Sequence, residues 1–251
     1  MKVISFLRKL KAFFKTEIEW NRKYATYKIQ FKDFKDKIGP NVEISEYACL
    51  FDNTGTTPIE PHYTYHPAWA ARVVAQINPA KHIDISSTTH FGTIVSAFVP
   101  VEFYDYRPAN IHLSNYTSGK ADLTNLHFET SSIESLSCMH TVEHIGLGRY
   151  GDPIDVNADI KAMKELERVV AIKGNLLFVI PIGNPRIEFN AHRVYAYNKI
   201  IERFSGLVLK EFSLIPDDFE NTGYITNPPI ELINKQHWGC GCFWFTKPGK
   251  I

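Results

Sequence analysis

The second half of the chain contains histidines and a glutamate that could transfer protons. The run His140-Thr-Val-Glu143-His144 holds two histidines and one glutamate, and His192 follows further along. An imidazole titrates near neutral pH, so His144 or His192 could take a proton from a substrate hydroxyl group. We therefore predict that His140, Glu143, His144 and His192 are catalytic residues, and a purely structural role for each histidine is the alternative.

The same run also fits the pattern H-x-x-E-H, in which two histidines one helical turn apart bind zinc and the glutamate acts as a base. Here the run directly follows an expected strand and leads into a glycine-rich segment, residues 146–151. Two ligands at this spacing need a stable helix, so we predict no metal ligands. A metal-dependent hydrolase stays a less favoured alternative.

Segments with the patterns of strands and helices alternate around these residues. We predict strands at 82–86, 100–104, just before Asp122, and at 132–139, 174–180, 207–212 and 240–246, and helices at 66–78, 91–98, 157–171 and 197–204. Such alternation indicates a parallel sheet covered on both faces. No helical pattern separates Phe212 from Cys240, so the last strand should return antiparallel. The predicted fold class is α/β, a doubly wound, mostly parallel, Rossmann-like sheet of seven strands with an antiparallel last strand.

Polar residues directly follow most of the predicted strands. They are residues 84–90, Asp105 and Arg107, Asp122, residues 140–144 and residues 190–193. In an open α/β sheet, ligands bind beyond the carboxyl ends of the strands. We therefore predict that these side chains converge on one ligand site. The alternative is that polar residues simply occur where strands end.

Four hydroxyl side chains, Ser86, Ser87, Thr88 and Thr89, stand where a helix is expected to begin. Unpaired amides and hydroxyls at a helix N-terminus favour an anion, so a phosphate or carboxylate could bind there. Ordinary capping of the helix by one of the four hydroxyls is equally compatible with the sequence.

The order of these residues resembles the core of class I S-adenosylmethionine-dependent methyltransferases. The most specific stretch is ADLTNLHFETSSIESLSCMHTVEHI, residues 121–145, which is similar to that family's succession of an acid, a short apolar stretch, a strand and a Glu-His pair. Residues 65–214 look closer still to a family known as domain of unknown function 268, through HPAWAAR, HIDISS, PVEFYDYRP and MHTVEHIGLGRYGDP. The resemblance implies a methyltransferase fold with S-adenosylmethionine as the cofactor.

The resemblance also implies which residues would hold the nucleoside part of the cofactor. Asp105 would accept hydrogen bonds from the ribose hydroxyls, because an acid at the end of the second strand faces the sugar. Asp122 would meet the adenine amino group, and Leu123 with Met139 would sandwich the adenine ring.

The first loop after the first strand departs from the family pattern. By resemblance, Asp84 would order this loop, and Ser86 and Ser87 would lie beside the cofactor. The family loop normally reads acid-x-Gly-x-Gly-x-Gly, whereas residues 84–90 read DISSTTH, with no glycine before Gly92. Glycines there allow positive φ and close approach of the backbone to a ligand. The sequence instead places side chains where the methionine part of the cofactor would lie.

Charge is distributed unevenly along the 251 residues. Residues 1–38 hold eleven of the 28 Lys and Arg and four of the 27 Asp and Glu, a net charge of +7, and the rest of the chain has −6. The overall charge of +1 gives no reason to expect a nucleic acid as partner. Apolar residues at helical spacing, namely Val3, Phe6, Leu7, Leu10, Phe13 and Phe14, predict a basic amphipathic helix. It would dock on its own domain or a second copy, or contact an anionic membrane or a membrane-bound partner.

The chain is predicted to consist of three segments. They are a basic amphipathic helical extension at 1–38, a loop-rich cover at 39–65, and a methyltransferase-like α/β domain at 66–251 with an insertion at about 214–237 that could be a lid or binding loop. Four cysteines without C-x-x-C spacing indicate a reducing, cytoplasmic compartment. No apolar run is long enough to cross a membrane, and secretion is not expected.

These observations favour a methyltransferase that acts on a small-molecule or glycan-like acceptor, the latter in polysaccharide biosynthesis. Methyl transfer from a sulfonium needs mainly alignment and removal of a proton from the acceptor, which the histidines could supply. The main alternative is a cofactor-free pseudo-methyltransferase that serves as a binding or assembly module.

Overall fold

The computed structural model describes residues 2–38 and 41–249, and their side chains from residue 16 onward. The chain divides into two compact units at residues 59 and 60. The smaller unit contains helix α1 (Lys2–Ile38) and residues 41–59, which form no helix or strand. The apolar face predicted for residues 3–14 lies outside the described side chains. Within the described residues, no helix is both long enough and apolar enough to cross a bilayer.

Aromatic side chains line one face of the described part of α1. Trp20 stacks on Tyr24 with ring centroids 4.8 Å apart, and Tyr27 and Phe31 continue the row at 5.9 and 6.1 Å. Their spacing of three or four residues puts them on neighbouring turns of the helix.

The described residues of the larger unit form ten strands. They are β1 (His82–Ile85), β2 (Val101–Asp105), β3 (Tyr116–Lys120), β4 (Ile133–Met139), β5 (Val170–Ile182), β6 (Arg186–Glu188), β7 (His192–Val194), β8 (Val208–Ile215), β9 (Ile225–Thr226) and β10 (Gly239–Thr246). Eight strands form one sheet in the order β3-β2-β1-β4-β5-β10-β8-β9, and β6 with β7 forms a separate hairpin. Strands β1 to β5 pair parallel, and β10 pairs antiparallel with both β5 and β8. The predicted antiparallel last strand is confirmed.

The helices of this unit are α2 (Pro61–Ile77), α3 (Thr89–Val95), α4 (Ala158–Val169), α5 (Tyr197–Arg203), α6 (Phe219–Thr222) and α7 (Ile230–Ile233). Helix α2 begins five residues earlier than expected, because the Glu60 side chain caps it by accepting from the backbone N–H of Tyr63 at 2.5 Å. The expected loop-rich segment therefore ends at Glu60. The sheet has eight strands rather than seven, since the insertion after β8 adds the two-residue strand β9. The sequence pattern also did not predict the β6–β7 hairpin or the helices α6 and α7, which are four residues long each and lie where no helix was expected.

Apolar residues cover both faces of the sheet, as its central strands require. Along β5 and β10, one set of alternate residues packs in a cluster with α4 and α5, and it comprises Leu176, Phe178, Ile180, Phe243 and Phe245. The intervening set packs in a second cluster with α2 and α3, and it comprises Leu177, Val179, Cys240, Cys242 and Trp244. A continuous apolar run is what a strand buried on both faces needs. The doubly wound α/β prediction is confirmed.

Two charged residues near the end of α4, Glu165 and Arg168, have a structural role. Arg168 donates to both carboxylate oxygens of Glu165 at 2.7 Å and to the carbonyl oxygens of Leu126 and Phe128 at 2.9 Å. Glu165 in turn accepts from the backbone N–H of Leu126 at 2.8 Å. A bidentate pair of this kind fixes geometry as well as charge, so it ties α4 to the loop between β3 and β4.

Candidate functional site

A cavity of about 320 Å³ opens beyond the carboxyl ends of β2, β3 and β4. Of the eleven residues predicted to be catalytic or to hold the cofactor, six line this cavity, namely Ser86, Asp105, Asp122, Leu123, His140 and His144. The other five, namely Asp84, Ser87, Met139, Glu143 and His192, are not part of the lining. Polar side chains from separate strand ends thus converge on one site, as expected from the parallel topology.

Two aspartates on the cavity wall each use one carboxylate oxygen to hold a turn. Asp105 Oδ1 accepts from the backbone N–H of Arg107 at 2.7 Å. Asp122 Oδ1 accepts from the backbone N–H and the hydroxyl group of Thr124, at 2.8 and 2.7 Å. Among the described residues, nothing donates a hydrogen bond to Oδ2 of either aspartate. Each carboxylate is therefore held in place by one oxygen and has the other available to a ligand.

The first loop takes a glycine-like conformation at Ser86. Its φ is +56°, in the left-handed region. The strain this places on a residue with a side chain is offset by three contacts: Ser86 N–H and Oγ both donate to the Tyr104 carbonyl oxygen, at 2.7 and 3.2 Å, and Thr141 Oγ1 donates to the Ser86 carbonyl at 2.7 Å. The backbone thus makes the turn that the missing glycine would favour.

The neighbouring hydroxyl groups are engaged within the fold. Thr88 is the N-cap of α3, where its Oγ1 accepts from the backbone N–H of Phe91 at 3.2 Å. Ser87 Oγ accepts from the backbone N–H of Met139 at 3.0 Å. The structure therefore supports helix capping, the alternative to an anion site at this loop.

Asp84 lies beneath the site rather than in it. It is fully buried in β1 and accepts a hydrogen bond from Ser137 Oγ of β4. The same hydroxyl is 2.9 Å from Nε2 of the buried His82, whose Nδ1 is 2.8 Å from Ser135 Oγ. Burial raises the pKa of Asp84 to about 7, although hydrogen bonds from Ser137 and Ser87 oppose this shift. Burial lowers the pKa of His82 to about 3.

Replacing His82 by Gln should change how stability depends on pH. Because the folded pKa of His82, about 3, is below its unfolded value of 6.5, its contribution is fully present above pH 6.5. That contribution is lost as the pH falls toward the folded pKa, by about 2 kcal/mol at pH 5. Between pH 7 and pH 5, the unfolding free energy of H82Q should fall by about 2 kcal/mol less than that of the unmodified protein in urea titrations. A difference between the two proteins that stays constant with pH would show that His82 is not responsible.

Met139 was expected to sandwich a ligand ring with Leu123, and this expectation is wrong. Successive residues of a strand point to opposite faces, and Met139 packs in the α2 and α3 cluster while Cys138 and Leu123 pack in the α4 and α5 cluster. Met139 is only 1 % exposed. Ile145, which packs against the same cluster as Leu123 and lines the cavity, supplies the apolar surface instead.

His140 is held in one orientation from two sides. Its φ is +53°, and its Nδ1 is 2.7 Å from Oε1 of the buried Glu143. Its Nε2 is 3.3 Å from Cys240 Sγ. Burial lowers the pKa of His140 to about 3, and His144 and His192 add to the shift. Burial raises the pKa of Glu143 to about 7, against the opposing effect of His144.

A hydrogen bond from His144 to a backbone carbonyl sets the tautomer of its neutral imidazole. Its Nδ1 is 2.6 Å from the Ala191 carbonyl oxygen and therefore carries the proton that it donates there, so Nε2 has a lone pair. That Nε2 is 3.8 Å from Glu143 Oε1. His192 lies behind this group, with its ring 6.4 Å from that of His144 and its Nε2 3.2 Å from Glu188 Oε2.

The run H-x-x-E-H does not form a helical pair of zinc ligands. Residues Val142–His144 form a single 3-10 turn rather than an α-helix. Glu143 Oε1 lies near both histidines, 2.7 Å from His140 Nδ1 and 3.8 Å from His144 Nε2. The two imidazoles therefore share a carboxylate rather than one metal position.

The cavity wall formed by the glycine-rich segment includes side chains that the sequence patterns did not single out. Asp152 accepts from the backbone N–H groups of Gly146 at 2.6 Å and Tyr150 at 3.1 Å, which closes the segment into a loop. Burial alone would raise the pKa of Asp152, but these backbone hydrogen bonds outweigh it and lower the pKa. The Arg107 guanidinium lies 4.6 Å from the centre of the Tyr150 ring. Glycines followed by an aspartate were the signal available for this loop.

Comparison with known proteins supports the resemblance. Residues 110–216 match a family model described as Caenorhabditis protein of unknown function, DUF268. No curated protein sequence matches the chain.

Solved structures of methyltransferases share this fold. One is N-methyltransferase NodS from Bradyrhizobium japonicum WM9 in complex with S-adenosyl-L-homocysteine, with 13 % identity, a TM-score of 0.50, and coverage of 75 % of this chain and 89 % of that chain. Another is 1,6-didemethyltoxoflavin-N1-methyltransferase from Burkholderia thailandensis, solved with 1,6-didemethyltoxoflavin and S-adenosylhomocysteine, with 8 % identity, a TM-score of 0.51, and coverage of 74 % and 81 %. At such identities the likeness shows the class I methyltransferase fold.

Proposed function

We propose that this chain, which has the class I methyltransferase fold and matches DUF268 over residues 110–216, is an S-adenosylmethionine-dependent methyltransferase. The observation that carries the proposal is the pair Asp105 and Asp122, which end adjacent strands, line one cavity and each keep a carboxylate oxygen available. When bound, S-adenosylmethionine supplies a methyl group on a sulfonium centre to a nucleophilic acceptor atom.

Each part of the nucleoside has a counterpart in the cavity lining. Asp105 would accept from the ribose hydroxyls and Asp122 from the adenine amino group, while Leu123 and Ile145 offer apolar contact to the ring. The positive φ of Ser86 gives the first loop the turn that close approach of its backbone needs. Asp84 and Ser87 connect this loop to β4. Ser87 Oγ accepts a hydrogen bond from the Met139 N–H, and Asp84 accepts one from Ser137 Oγ.

His144 is suited to remove the proton from an acceptor hydroxyl group. The Ala191 carbonyl holds its Nδ1–H, so Nε2 is the proton acceptor. The buried Glu143 carboxylate, 3.8 Å away, stabilises the imidazolium that forms, and His140 fixes Glu143 through their 2.7 Å contact. His192 does not line the cavity and its Nε2 faces Glu188, so we assign the proton transfer to His144 alone. A small molecule or a glycan with a free hydroxyl group is the acceptor class that fits this base.

Calorimetry with S-adenosylhomocysteine tests the proposal. We expect saturable binding to one site per chain, and a gain of about 2.7 kcal/mol in unfolding free energy at 100 times the dissociation constant. Adenosine, which lacks the homocysteine part, is the control ligand and should bind more weakly. An unmodified, folded protein that binds no S-adenosylhomocysteine would overturn the proposal.

The second candidate is a cofactor-free binding module of methyltransferase fold. The first loop favours it, since residues 84–90 lack the glycines of the family pattern and the Ser86 side chain lines the cavity. This candidate requires that S-adenosylhomocysteine does not bind, although the protein shows a normal unfolding transition.

For the N-terminal helix we propose reversible contact with an anionic membrane, and with it a cytoplasmic, membrane-peripheral location. The support is the sequence, in which Arg8, Lys9, Lys11 and Lys15 alternate with apolar residues. Sedimentation with phosphatidylserine vesicles should exceed that with phosphatidylcholine vesicles and should fall as salt rises, since each lysine near an acidic surface adds about 1 kcal/mol. Sedimentation that does not depend on lipid charge would contradict this proposal.

A further inference from the structure

A compact group of three buried side chains includes His140, which also lines the cavity. It comprises His62 in the first turn of α2, His140 after β4 and Cys240 in β10, and we call it the His-His-Cys cluster. One ligand atom from each lies within 4.8 Å of the other two. The three residues are 6 %, 8 % and 0 % exposed. Neutral imidazole nitrogen and thiolate sulfur are the donors that zinc prefers in proteins.

The orientation of His140 is that of a metal ligand with a supporting carboxylate. Its Nδ1 faces Glu143 Oε1 at 2.7 Å, so Nδ1 carries the proton and Nε2 has the lone pair. That Nε2 is 3.3 Å from Cys240 Sγ. With the usual zinc bond lengths, sulfur and nitrogen ligands of a tetrahedral ion are about 3.5 Å apart. A histidine that donates its other N–H to a carboxylate is the common arrangement around protein-bound metals.

The two imidazole rings lie at a distance that suits a shared ion. The rings of His62 and His140 are 13° from parallel, and their centroids are 5.2 Å apart. Two imidazoles bound to one tetrahedral ion have centroids about 5 Å apart. Because the three ligand atoms are up to 4.8 Å apart, the His62 ring has to rotate out of its stacked position to bring a nitrogen to bonding distance.

The surroundings of the cluster leave lone pairs without partners. His66 donates from Nδ1 to the His62 carbonyl oxygen at 2.6 Å, so its Nε2 is an acceptor, and this atom is buried without a hydrogen-bond partner among the described residues. The His66 ring is 5.1 Å from that of His140. Glu143 Oε2 is likewise buried and unpartnered. A region this rich in buried acceptors is costly without a cation.

We propose that His62, His140 and Cys240 bind one zinc ion. The charges balance, because the ion's two positive charges meet the Cys240 thiolate and the Glu143 carboxylate. Three protein ligands leave a fourth position open, as in zinc sites that bind water or a substrate atom. Since His140 also lines the cavity, the ion is adjacent to it. The proposal does not depend on methyl transfer.

Metal analysis of the full chain is the test. After removal of metal with a chelator and dialysis, titration with Zn²⁺ should restore one ion per chain by mass spectrometry. Titration with Co²⁺ should give the visible absorption of a tetrahedral site together with a sulfur-to-metal charge-transfer band. Cys240→Ser should lose that charge-transfer band, and His62→Gln should lose stoichiometric binding of both ions. Glu143→Gln, which keeps all three ligands, should weaken binding about 10- to 100-fold.

Cys138→Ser is the matched control, because Cys138 is equally buried but packs on the opposite face of the sheet. It should bind one Zn²⁺ like the unmodified protein. Circular dichroism identifies a variant that does not fold. Cys240 and His62 lie on different elements, so either variant, if folded, is sufficient to test whether the cluster binds zinc. Less than a tenth of an equivalent of Zn²⁺ bound to the unmodified protein, or one equivalent retained by a folded Cys240→Ser or His62→Gln variant, would overturn the proposal.

Discussion

Replacing Asp105 by Ala should weaken S-adenosylhomocysteine binding by about 1.5 to 3 kcal/mol, or roughly 10- to 150-fold in the dissociation constant. The reason is that Asp105 Oδ2 is the available acceptor at the end of β2, whereas Oδ1 is engaged by the Arg107 N–H at 2.7 Å. Calorimetry measures the change directly. The unfolding free energy should change by no more than about 1 kcal/mol, since a single exposed turn contact is lost.

Two further variants separate the ligand contact from the turn. Asp105→Asn keeps an oxygen for the Arg107 N–H but removes the charge, so it should show a smaller loss of affinity than Asp105→Ala. Glu134→Ala removes an exposed carboxylate from β4 away from the cavity lining and should leave the affinity unchanged. Equal affinity in all three variants would mean that Asp105 does not contact the nucleoside.

Replacing Gly146 by Ala should be the most destabilising single change in the cavity wall. Gly146 has φ +78°, and an added Cβ would overlap the Asp155 carbonyl oxygen and lie 2.7 Å from the Ala158 Cβ. The left-handed conformation costs about 1 to 2 kcal/mol for a residue with a side chain, and the overlap adds about 1 to 3 kcal/mol. We expect a loss of about 3 kcal/mol or more in urea unfolding, together with loss of S-adenosylhomocysteine binding, because Gly146 lines the cavity.

Gly151, in the same loop, offers a matched control. Its φ is +82°, and nothing lies within 4 Å of a Cβ built there. Gly151→Ala should therefore lower the unfolding free energy only by the cost of the left-handed conformation, about 1 to 2 kcal/mol. If both variants lost the same stability, the overlap with Asp155 would not be the cause.

The architecture could be predicted because its signals are local. The continuous apolar run of β5 correctly indicated a buried parallel strand. The lack of a long helical pattern between Phe212 and Cys240 correctly indicated an antiparallel return, although the four-residue helices α6 and α7 lie there. What could not be predicted depends on small or distant contacts. The extra strand β9 is two residues long, and the early start of α2 rests on one capping side chain at Glu60.

The site residues show the same difference between local signals and distant contacts. Asp105 and Asp122 could be placed because each directly follows a strand, and carboxyl ends of parallel strands share an edge. The position of Met139 could not be predicted, because the face on which its side chain lies depends on the register of β4. A shift of one residue moves every side chain of a strand to the opposite face. The His-His-Cys cluster left no local pattern, since His140 and Cys240 are 100 residues apart in the chain.

The position of β10 between β5 and β8 bears on how the larger unit is synthesised. Strand β8 and its neighbour β9 join the sheet only through β10, which follows them in the chain. On the ribosome, β1 to β5 can pair as soon as they emerge, while β8 has no edge to pair with until residues 239–246 leave the exit tunnel. Until then the apolar edge of β5 is open to other chains. Completion of this sheet therefore has to wait for β10, and we expect the nascent chain to depend most on chaperones before that strand emerges.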